Sequence, residues 1–377
     1  RCSVAEVADN VQEDRIAHPQ RILVLRDFCT RPLGSECDRC ARACPHGAIS
    51  FSAENLPVID ARTCTNCGIC LGIRDAFTST RVTMIDLHAR VRRIALRGED
   101  VVITCKENIF PGLEPAANVV VLPCLAALSP EFWTLVLAEN IPVSIAGDLT
   151  YCADCDRAGD FGEMLFTHAI ATAEQWTGRK VGYLEAIPEK ENLVKDLANP
   201  EGVDRRSAFT NLAADVADVA SGKRRLRNSD VLQQLYERQE RARARARLHL
   251  NESRQFNDFA PEGHTKQTMH PKRRMLLEAI DRDSSIAPNI PIVISQTDCS
   301  ICTNALDCAR ACPTGARYPD PADGTLALDA RYCIGCGLCA SACAQGAVQL
   351  IEESAEVFLT EEAGCEQASE TCGTPQR

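Results

Sequence analysis

The sequence predicts a multidomain protein of mixed α/β and α+β class, in which two cysteine-rich modules flank a small parallel α/β domain and a helical basic segment. Three observations predict this organisation. The 377 residues include 22 cysteines, and fifteen of these fall in two short runs, one toward each end of the chain. Four short apolar runs lie between the two cysteine runs, and an arginine-rich stretch follows them. The predicted units are residues 1–92, 93–190, 191–290 and 291–352, with an acidic tail at 353–377.

The composition is typical of a folded globular chain, with 45% hydrophobic and 25% charged residues. A chain of this length is not a small disulfide scaffold, so the tight cysteine runs favour ligation of metal or of a cluster. No apolar stretch approaches the roughly 18 residues of a membrane-spanning helix. The net charge of -11 does not favour nucleic-acid binding. Without a signal peptide or membrane span, we expect a cytoplasmic protein.

The C-terminal cysteine run is the more complete of the two. It reads Cys299-x2-Cys302-x5-Cys308-x3-Cys312-Pro313, followed by Cys333-x2-Cys336-x2-Cys339-x3-Cys343. Over about 60 residues it resembles the bacterial two-cluster ferredoxins, although the x5 spacing departs from the usual x2. The resemblance implies two [4Fe–4S] clusters, one held by Cys299, Cys302, Cys308 and Cys343, the other by Cys333, Cys336, Cys339 and Cys312.

The N-terminal run repeats this pattern with one ligand missing. "CARACPHGAI" at 40–49 matches "CARACPTGAR" at 308–317, which indicates an internal repeat. The same resemblance implies a third [4Fe–4S] cluster, held by Cys44, Cys64, Cys67 and Cys70.

The second N-terminal set keeps only Cys29, Cys37 and Cys40, because Arg74 stands where the eighth cysteine is expected. We expect this site to hold a [3Fe–4S] cluster or a [4Fe–4S] cluster with a ligand from elsewhere. Candidates for that ligand are Asp75, Cys2, Cys365 and Cys372. The alternative is a degenerate site with no cluster.

Four β-branched apolar runs, at 101–104, 119–122, 141–145 and 181–184, predict the buried strands of a parallel sheet. Each of the first three is followed by cysteine, which places four thiols at one edge of the sheet: Cys105, Cys124, Cys152 and Cys155. These residues and the segment "VVVLPCLAALSPEF" loosely resemble the iron–sulfur delta subunit of methyl-viologen-reducing hydrogenases. The resemblance implies a further iron–sulfur centre. Structural zinc and a redox-active Cys152/Cys155 pair are the alternatives.

Residues 221–280 carry 14 lysines and arginines against 7 acidic residues. We expect helices at 204–220, 230–248 and 271–282. This segment is interpreted as a docking arm for an acidic partner subunit or for the protein's own cluster modules. A simply solvated helical face is the alternative.

The sequence contains no P-loop, dinucleotide-binding turn or nucleophile elbow. It therefore favours a non-catalytic iron–sulfur subunit that relays single electrons between a catalytic oxidoreductase subunit and another redox partner. The expected setting is a multi-subunit complex of anaerobic metabolism, such as a hydrogenase, a formate dehydrogenase or a heterodisulfide reductase-like assembly. A ferredoxin-fed thiol/disulfide reductase that uses the central cysteines is the alternative.

Overall fold

A computed structural model of the chain describes residues 21–190, 267–321 and 323–359. The predicted helices 204–220 and 230–248 lie outside these residues, as do Cys2, Cys365 and Cys372. Elements are numbered along the described chain. The third helix predicted in the basic segment is present over the expected residues, 271–282.

The N-terminal module alternates strands with short helices. Its elements are β1 (Ile22–Val24), α1 (Arg39–Arg42), β2 (Ile49–Phe51), β3 (Pro57–Ile59), α2 (Ile69–Ile73) and β4 (Phe77–Ser79). The first and last strands pair antiparallel, with Ile22 opposite Ser79. Strands β2 and β3 form a hairpin. The helix α3 (Met84–Ala95) follows, and its first turn is closed by a capping box between Thr83 and Asp86.

The central domain is built on a four-stranded parallel sheet. Its strands are β5 (Val101–Cys105), β6 (Val119–Leu122), β7 (Val143–Ala146) and β8 (Gly182–Leu184), in the spatial order β6-β5-β7-β8. The strands lie at the apolar runs that predict them, and each neighbouring pair is parallel. Because β6 and β7 lie on opposite sides of β5, the strand order reverses beside the end of β5. Such a reversal is where open α/β sheets bind ligands.

Two helices cross over this sheet. The first, α4 (Pro130–Ala138), begins with proline, which is favoured at the first helical position. Ser129 occupies its N-cap position, but the serine side chain makes no capping hydrogen bond. The second helix is α5 (Gly159–Thr177). Cys155 lies before the first residue of this helix and stays at the edge of the sheet.

The C-terminal region begins with α6 (Pro271–Arg282). A second strand-and-helix module follows: β9 (Pro291–Thr297), α7 (Asp307–Arg310), β10 (Arg317–Pro319), β11 (Leu326–Leu328), α8 (Leu338–Ala342) and β12 (Val348–Ser354). Strands β9 and β12 pair antiparallel, and β10 and β11 form a hairpin. The element order and the strand pairing are those of the N-terminal module.

One apolar core joins the central domain to α6. Phe132 and Trp133 of α4 are fully buried. Helix α6 contributes buried Met275, Leu276 and Ile280 to the same core. Each large apolar side chain buried in this way stabilises the fold by roughly 1.5–3 kcal/mol. The packing fixes the start of α6 between the two cysteine-rich modules.

Candidate metal centres

The complete N-terminal cysteine set surrounds one cavity. Its walls include all four predicted ligands: Cys44, Cys64, Cys67 and Cys70. Burial raises the pKa of the Cys70 thiol well above its usual range, and the neighbouring thiols raise it further, whereas the Leu71 N–H lowers it. The Ala48 N–H donates to Cys44 Sγ at 3.3 Å. Thiols that face each other, with backbone donors aimed at sulfur, fit an iron–sulfur cluster.

The matching C-terminal set has the same arrangement. A single cavity is lined by Cys312, Cys333, Cys336 and Cys339. Burial raises the pKa of Cys336 to about 11, while the Leu338 N–H acts in the opposite direction. At the starts of α2 and α8, Gly68 and Gly337 have φ angles of 85° and 81°. Glycine permits this left-handed turn inside the C-x-x-C loop of both modules.

The other C-terminal set is gathered in part. Cys308 is buried and packs with Cys339, with Cys343 at the edge of the same cluster. Burial raises the pKa of Cys308, Arg317 lowers it, and Cys339 and Cys302 raise it. Cys302, Cys308 and Cys343 carry free thiols. Cys299 forms a disulfide in this structure. Three of the four predicted ligands of this set are therefore free thiols, and the role of Cys299 as the fourth ligand stays a prediction.

The three-cysteine site opens on a large cavity. Cys29, Cys37 and Cys40 line a space of about 630 Å³ that also reaches Cys336 of the C-terminal module. Burial raises the pKa of Cys40 to about 11, and Cys37 and Cys29 raise it as well. Arg74 donates from Nη2 to Cys37 Sγ at 2.8 Å. The residue in the position of the missing ligand thus contacts one of the three remaining thiols.

Asp75, predicted as a candidate oxygen ligand, is engaged elsewhere. One carboxylate oxygen accepts from the Lys272 N–H at 3.1 Å, and the other lies 3.3 Å from His270 Nδ1. Lys272 Nζ donates to the Gly72 carbonyl at 2.7 Å. The neighbouring Arg273 donates from Nη2 to the Cys333 carbonyl at 2.7 Å. The first turn of α6 therefore contacts both cysteine-rich modules.

The four central cysteines share one cavity, as the sequence predicts. Cys105 ends β5, Cys124 follows β6, and Cys152 and Cys155 follow β7. Burial raises the pKa of Cys124 to about 12, and the thiols of Cys67, Cys105 and Cys155 add to the rise. Asn108 donates from Nδ2 to Cys105 Sγ at 3.1 Å.

No three His, Cys, Asp or Glu side chains within the described ranges come close enough together to hold one metal ion. Zinc places thiolates about 2.3 Å from a single point. The central thiols stand around a cavity, together with Leu125, Tyr151 and Phe166. The four central thiols thus line the wall of a cavity, whereas the ligands of a zinc ion converge on one point.

The central site lies against the complete N-terminal cysteine set. A Cβ added to Gly72 of α2 would stand 2.3 Å from the Ala126 carbonyl oxygen, so only glycine allows this approach. Thr65 Oγ1 donates to the Arg157 carbonyl, and Arg157 Nη1 donates to the Thr65 carbonyl, both at 2.8 Å. His46 Nε2 lies 3.1 Å from the same Arg157 carbonyl, at the rim of the N-terminal cavity.

Sequence reasoning missed several residues that act on the thiols. Asn108 belongs to no recognisable sequence motif. Its position three residues after Cys105 is the one sequence feature that relates it to the site. Arg317 carried a usable signal, because it replaces Ile49 at the last position of the internal repeat. It is buried and donates to Ser295 Oγ at 2.9 Å and Thr297 Oγ1 at 2.6 Å. The sequence identified Arg74 only as the residue that replaces the expected eighth cysteine.

Comparison with known proteins identifies a 4Fe-4S dicluster domain at residues 292–344. This match covers the C-terminal cysteine run from Cys299 to Cys343, and it supports [4Fe–4S] clusters in that module. The match does not extend to the N-terminal module or the central domain.

Two curated relatives, each one subunit of an oxidoreductase, are similar to short stretches of the chain. The sulfite dehydrogenase relative, from Allochromatium vinosum, is 40% identical over 63 residues, which are 17% of this chain and 26% of the relative. The selenate reductase relative, from Mesobacillus selenatarsenatis, is 35% identical over 68 residues, 18% of this chain and 23% of the relative. The chain thus spans about a quarter of the length of each. No solved structure matches the chain.

Among the helices in the described ranges, none combines the length and the apolar character that crossing a membrane requires.

Proposed function

We propose that this protein is an iron–sulfur electron-transfer subunit of a multi-subunit oxidoreductase. The observation that carries the proposal is the grouping of thiols around separate cavities in two modules of the same strand order, one of which is a 4Fe-4S dicluster domain. Similarity to single subunits of a sulfite dehydrogenase and a selenate reductase is consistent with this role.

In each site, the protein's own groups would hold and tune the cluster. Thiolates of Cys44, Cys64, Cys67 and Cys70 would hold one cluster, and those of Cys312, Cys333, Cys336 and Cys339 another. When bound, such clusters accept and release one electron at a time. Burial of the sulfurs and the N–H donors aimed at them would set the reduction potentials.

The positions of the sites favour one continuous route. The central cysteine site adjoins the complete N-terminal set, which shares its module with Cys29, Cys37 and Cys40. The cavity at those three residues reaches Cys336. We propose that electrons cross the molecule in this order, from the central domain to the C-terminal module or in the reverse direction.

We further propose a cluster at the central site, because all four cysteines line one cavity beside a predicted cluster. A thiol reductase would need only the Cys152/Cys155 pair, and the convergence of Cys105 and Cys124 would then have no role. The partners would be the other subunits of a redox complex. A hydrogenase, a formate dehydrogenase and a heterodisulfide reductase-like enzyme stay the candidate settings.

The test is anaerobic purification of the full chain, followed by counts of iron, sulfide and zinc and by EPR of oxidised and reduced samples. Occupied sites in the two modules would contribute about 15 iron atoms per chain, and a central cluster would add to this number. A total near eight would contradict the proposal for the N-terminal module. One zinc per chain, lost in Cys124→Ser, would assign zinc to the central site.

Cys152→Ser separates the electron-transfer role from that of a thiol reductase. Loss of central iron in this variant supports the electron-transfer role. Unchanged iron together with loss of disulfide-reducing activity would support the reductase. Thr150→Ser, in the same turn, is the matched control and is expected to leave the iron count unchanged.

A further inference from the structure

The three-cysteine site differs from its C-terminal counterpart at one ligand position. In the repeat, Arg74 corresponds to Cys343 and the following Asp75 to Ala344. The Arg74 guanidinium lies against the thiols, with Nη2 2.8 Å from Cys37 Sγ. Its positive charge also acts on Cys29. The position of the absent ligand is therefore filled by a cation that contacts the site.

Neither residue at this position offers a ligand to iron. A guanidinium in proteins stays protonated and has donors but no acceptor. The Asp75 carboxylate is hydrogen-bonded to Lys272 N and lies against His270 Nδ1. Its two oxygens are thus committed to the segment that begins α6.

Cys37 is held from two sides. Arg31 donates from Nη1 to the Cys37 carbonyl at 3.0 Å, and its guanidinium lies over the Phe51 ring, 3.8 Å from the centroid. Arg74 holds the sulfur of the same residue. Two arginines therefore hold Cys37, one at its backbone carbonyl and the other at its sulfur.

From this geometry we propose that Cys29, Cys37 and Cys40 hold a three-iron cluster, [3Fe–4S], with Arg74 as the positioning residue in place of a fourth thiolate. The inference rests on the proposed iron–sulfur function of the module. A fixed cation at the fourth position repels a fourth iron ion and attracts the anionic sulfur of the smaller cluster. The same cation stabilises the more negative, reduced form. This site therefore has a higher reduction potential than the four-thiolate sites.

The experiment compares the full-length wild type, Arg74→Cys, Arg74→Lys and Arg74→Met after anaerobic purification. A three-iron cluster is paramagnetic when oxidised, whereas a ferredoxin-type four-iron cluster is paramagnetic when reduced. We expect an oxidised-state EPR signal of about one spin per chain in the wild type. Arg74→Cys restores the eighth cysteine, so it loses that signal and gains about one iron atom per chain.

The conservative variants test the role of the charge. Arg74→Lys is expected to keep the oxidised-state signal and a potential close to that of the wild type. Arg74→Met is expected to keep the signal and lower the midpoint potential in a redox titration. Equal potentials in Arg74→Lys and Arg74→Met would overturn the electrostatic role of Arg74.

Two results would overturn the three-iron assignment. One is an Arg74→Cys variant with the wild-type EPR spectra and iron count. The other is conversion of the wild-type oxidised signal to a stable reduced-state signal when ferrous ion and reductant are added, because this would identify a four-iron site that had lost iron. The reduced-state signal of the C-terminal module is the internal reference. Its absence would instead count against the proposed function.

Discussion

The two cysteine-rich modules have the same order of strands and helices but differ where the second helix ends. The C-terminal module has Cys343 and Ala344 at this point, and the N-terminal module has Arg74 and Asp75. In the N-terminal module, one of the two residues contacts a thiol and the other contacts the segment that begins α6. The loss of one potential ligand thus coincides with a new contact between domains.

The modules also differ in where a cation acts on the thiols. The C-terminal module buries Arg317, which acts on Cys308, at the repeat position of Ile49. In the N-terminal module the cation that reaches the thiols is Arg74. In each module a guanidinium thus acts on a thiol of the cysteine set that does not contain the short C-x-x-C-x-x-C loop. The comparison indicates that a repeated fold can hold its second site with different charges and different numbers of thiols.

The largest expected effect is loss of a whole cluster, and it tests whether the modules are equivalent. Cys67→Ser and Cys336→Ser occupy the same repeat position. Each is expected to lose about four iron atoms per chain, because one of four ligands is removed. Iron analysis and reduced-state EPR measure the loss. An unchanged iron content in Cys67→Ser would contradict the equivalence of the two modules, because the N-terminal module would then not hold a cluster at that position.

Asp75→Ala transfers the C-terminal residue into the N-terminal module. Removing this carboxylate leaves the Lys272 backbone N–H without its acceptor, removes the partner of His270 Nδ1 and takes a negative charge away from the mostly buried Lys272 side chain. We expect a loss of about 3 kcal/mol in the free energy of unfolding, measured by anaerobic urea denaturation. Asp60→Ala, which removes an exposed carboxylate that binds only nearby residues, is the control and should change stability little. Equal stability of Asp75→Ala and wild type would show that α6 does not depend on this contact.

Arg317→Ile makes the reverse transfer, from the N-terminal module to the C-terminal one. The change removes the donors to Ser295 and Thr297, and we expect a loss of about 2 kcal/mol. The same denaturation experiment measures it, with the exposed Arg310→Ile as the matched control. A neutral Arg317→Ile variant would mean that the buried guanidinium is as dispensable here as it is at Ile49.

The smallest expected effect is the difference in stability between alanine variants of the two glycines that open α2 and α8. Alanine in the left-handed conformation costs roughly 1–2 kcal/mol in both modules. At Gly68 an added Cβ would also lie 3.0 Å from the Ala127 Cβ, whereas at Gly337 the nearest atom is 3.6 Å away. Gly68→Ala should therefore lower the free energy of unfolding by about 1 kcal/mol more than Gly337→Ala. Equal losses of stability in the two variants would show that Ala127 shifts to make room for the added methyl group.

Much of the local structure was predictable from the sequence. The strands of the central sheet follow the β-branched runs, because such residues suit strands buried on both faces. Convergence of Cys105, Cys124, Cys152 and Cys155 followed from their positions after parallel strands. The absence of a capping bond from the Ser129 side chain was not predictable from its position before Pro130.

The sets of cysteines, the internal repeat and the replacement of the eighth cysteine by Arg74 can be read from the sequence alone, because candidate ligands and repeats lie at short local spacings. The contacts of Arg74 and Asp75 depend on the folded chain. Asp75 and Lys272 are 197 positions apart, and Arg74 and Cys37 are 37 apart. No local pattern encodes such pairs. Packing of α6 against α4 and closure of the N-terminal module bring them together, so the charges at the three-cysteine site are a property of the folded molecule.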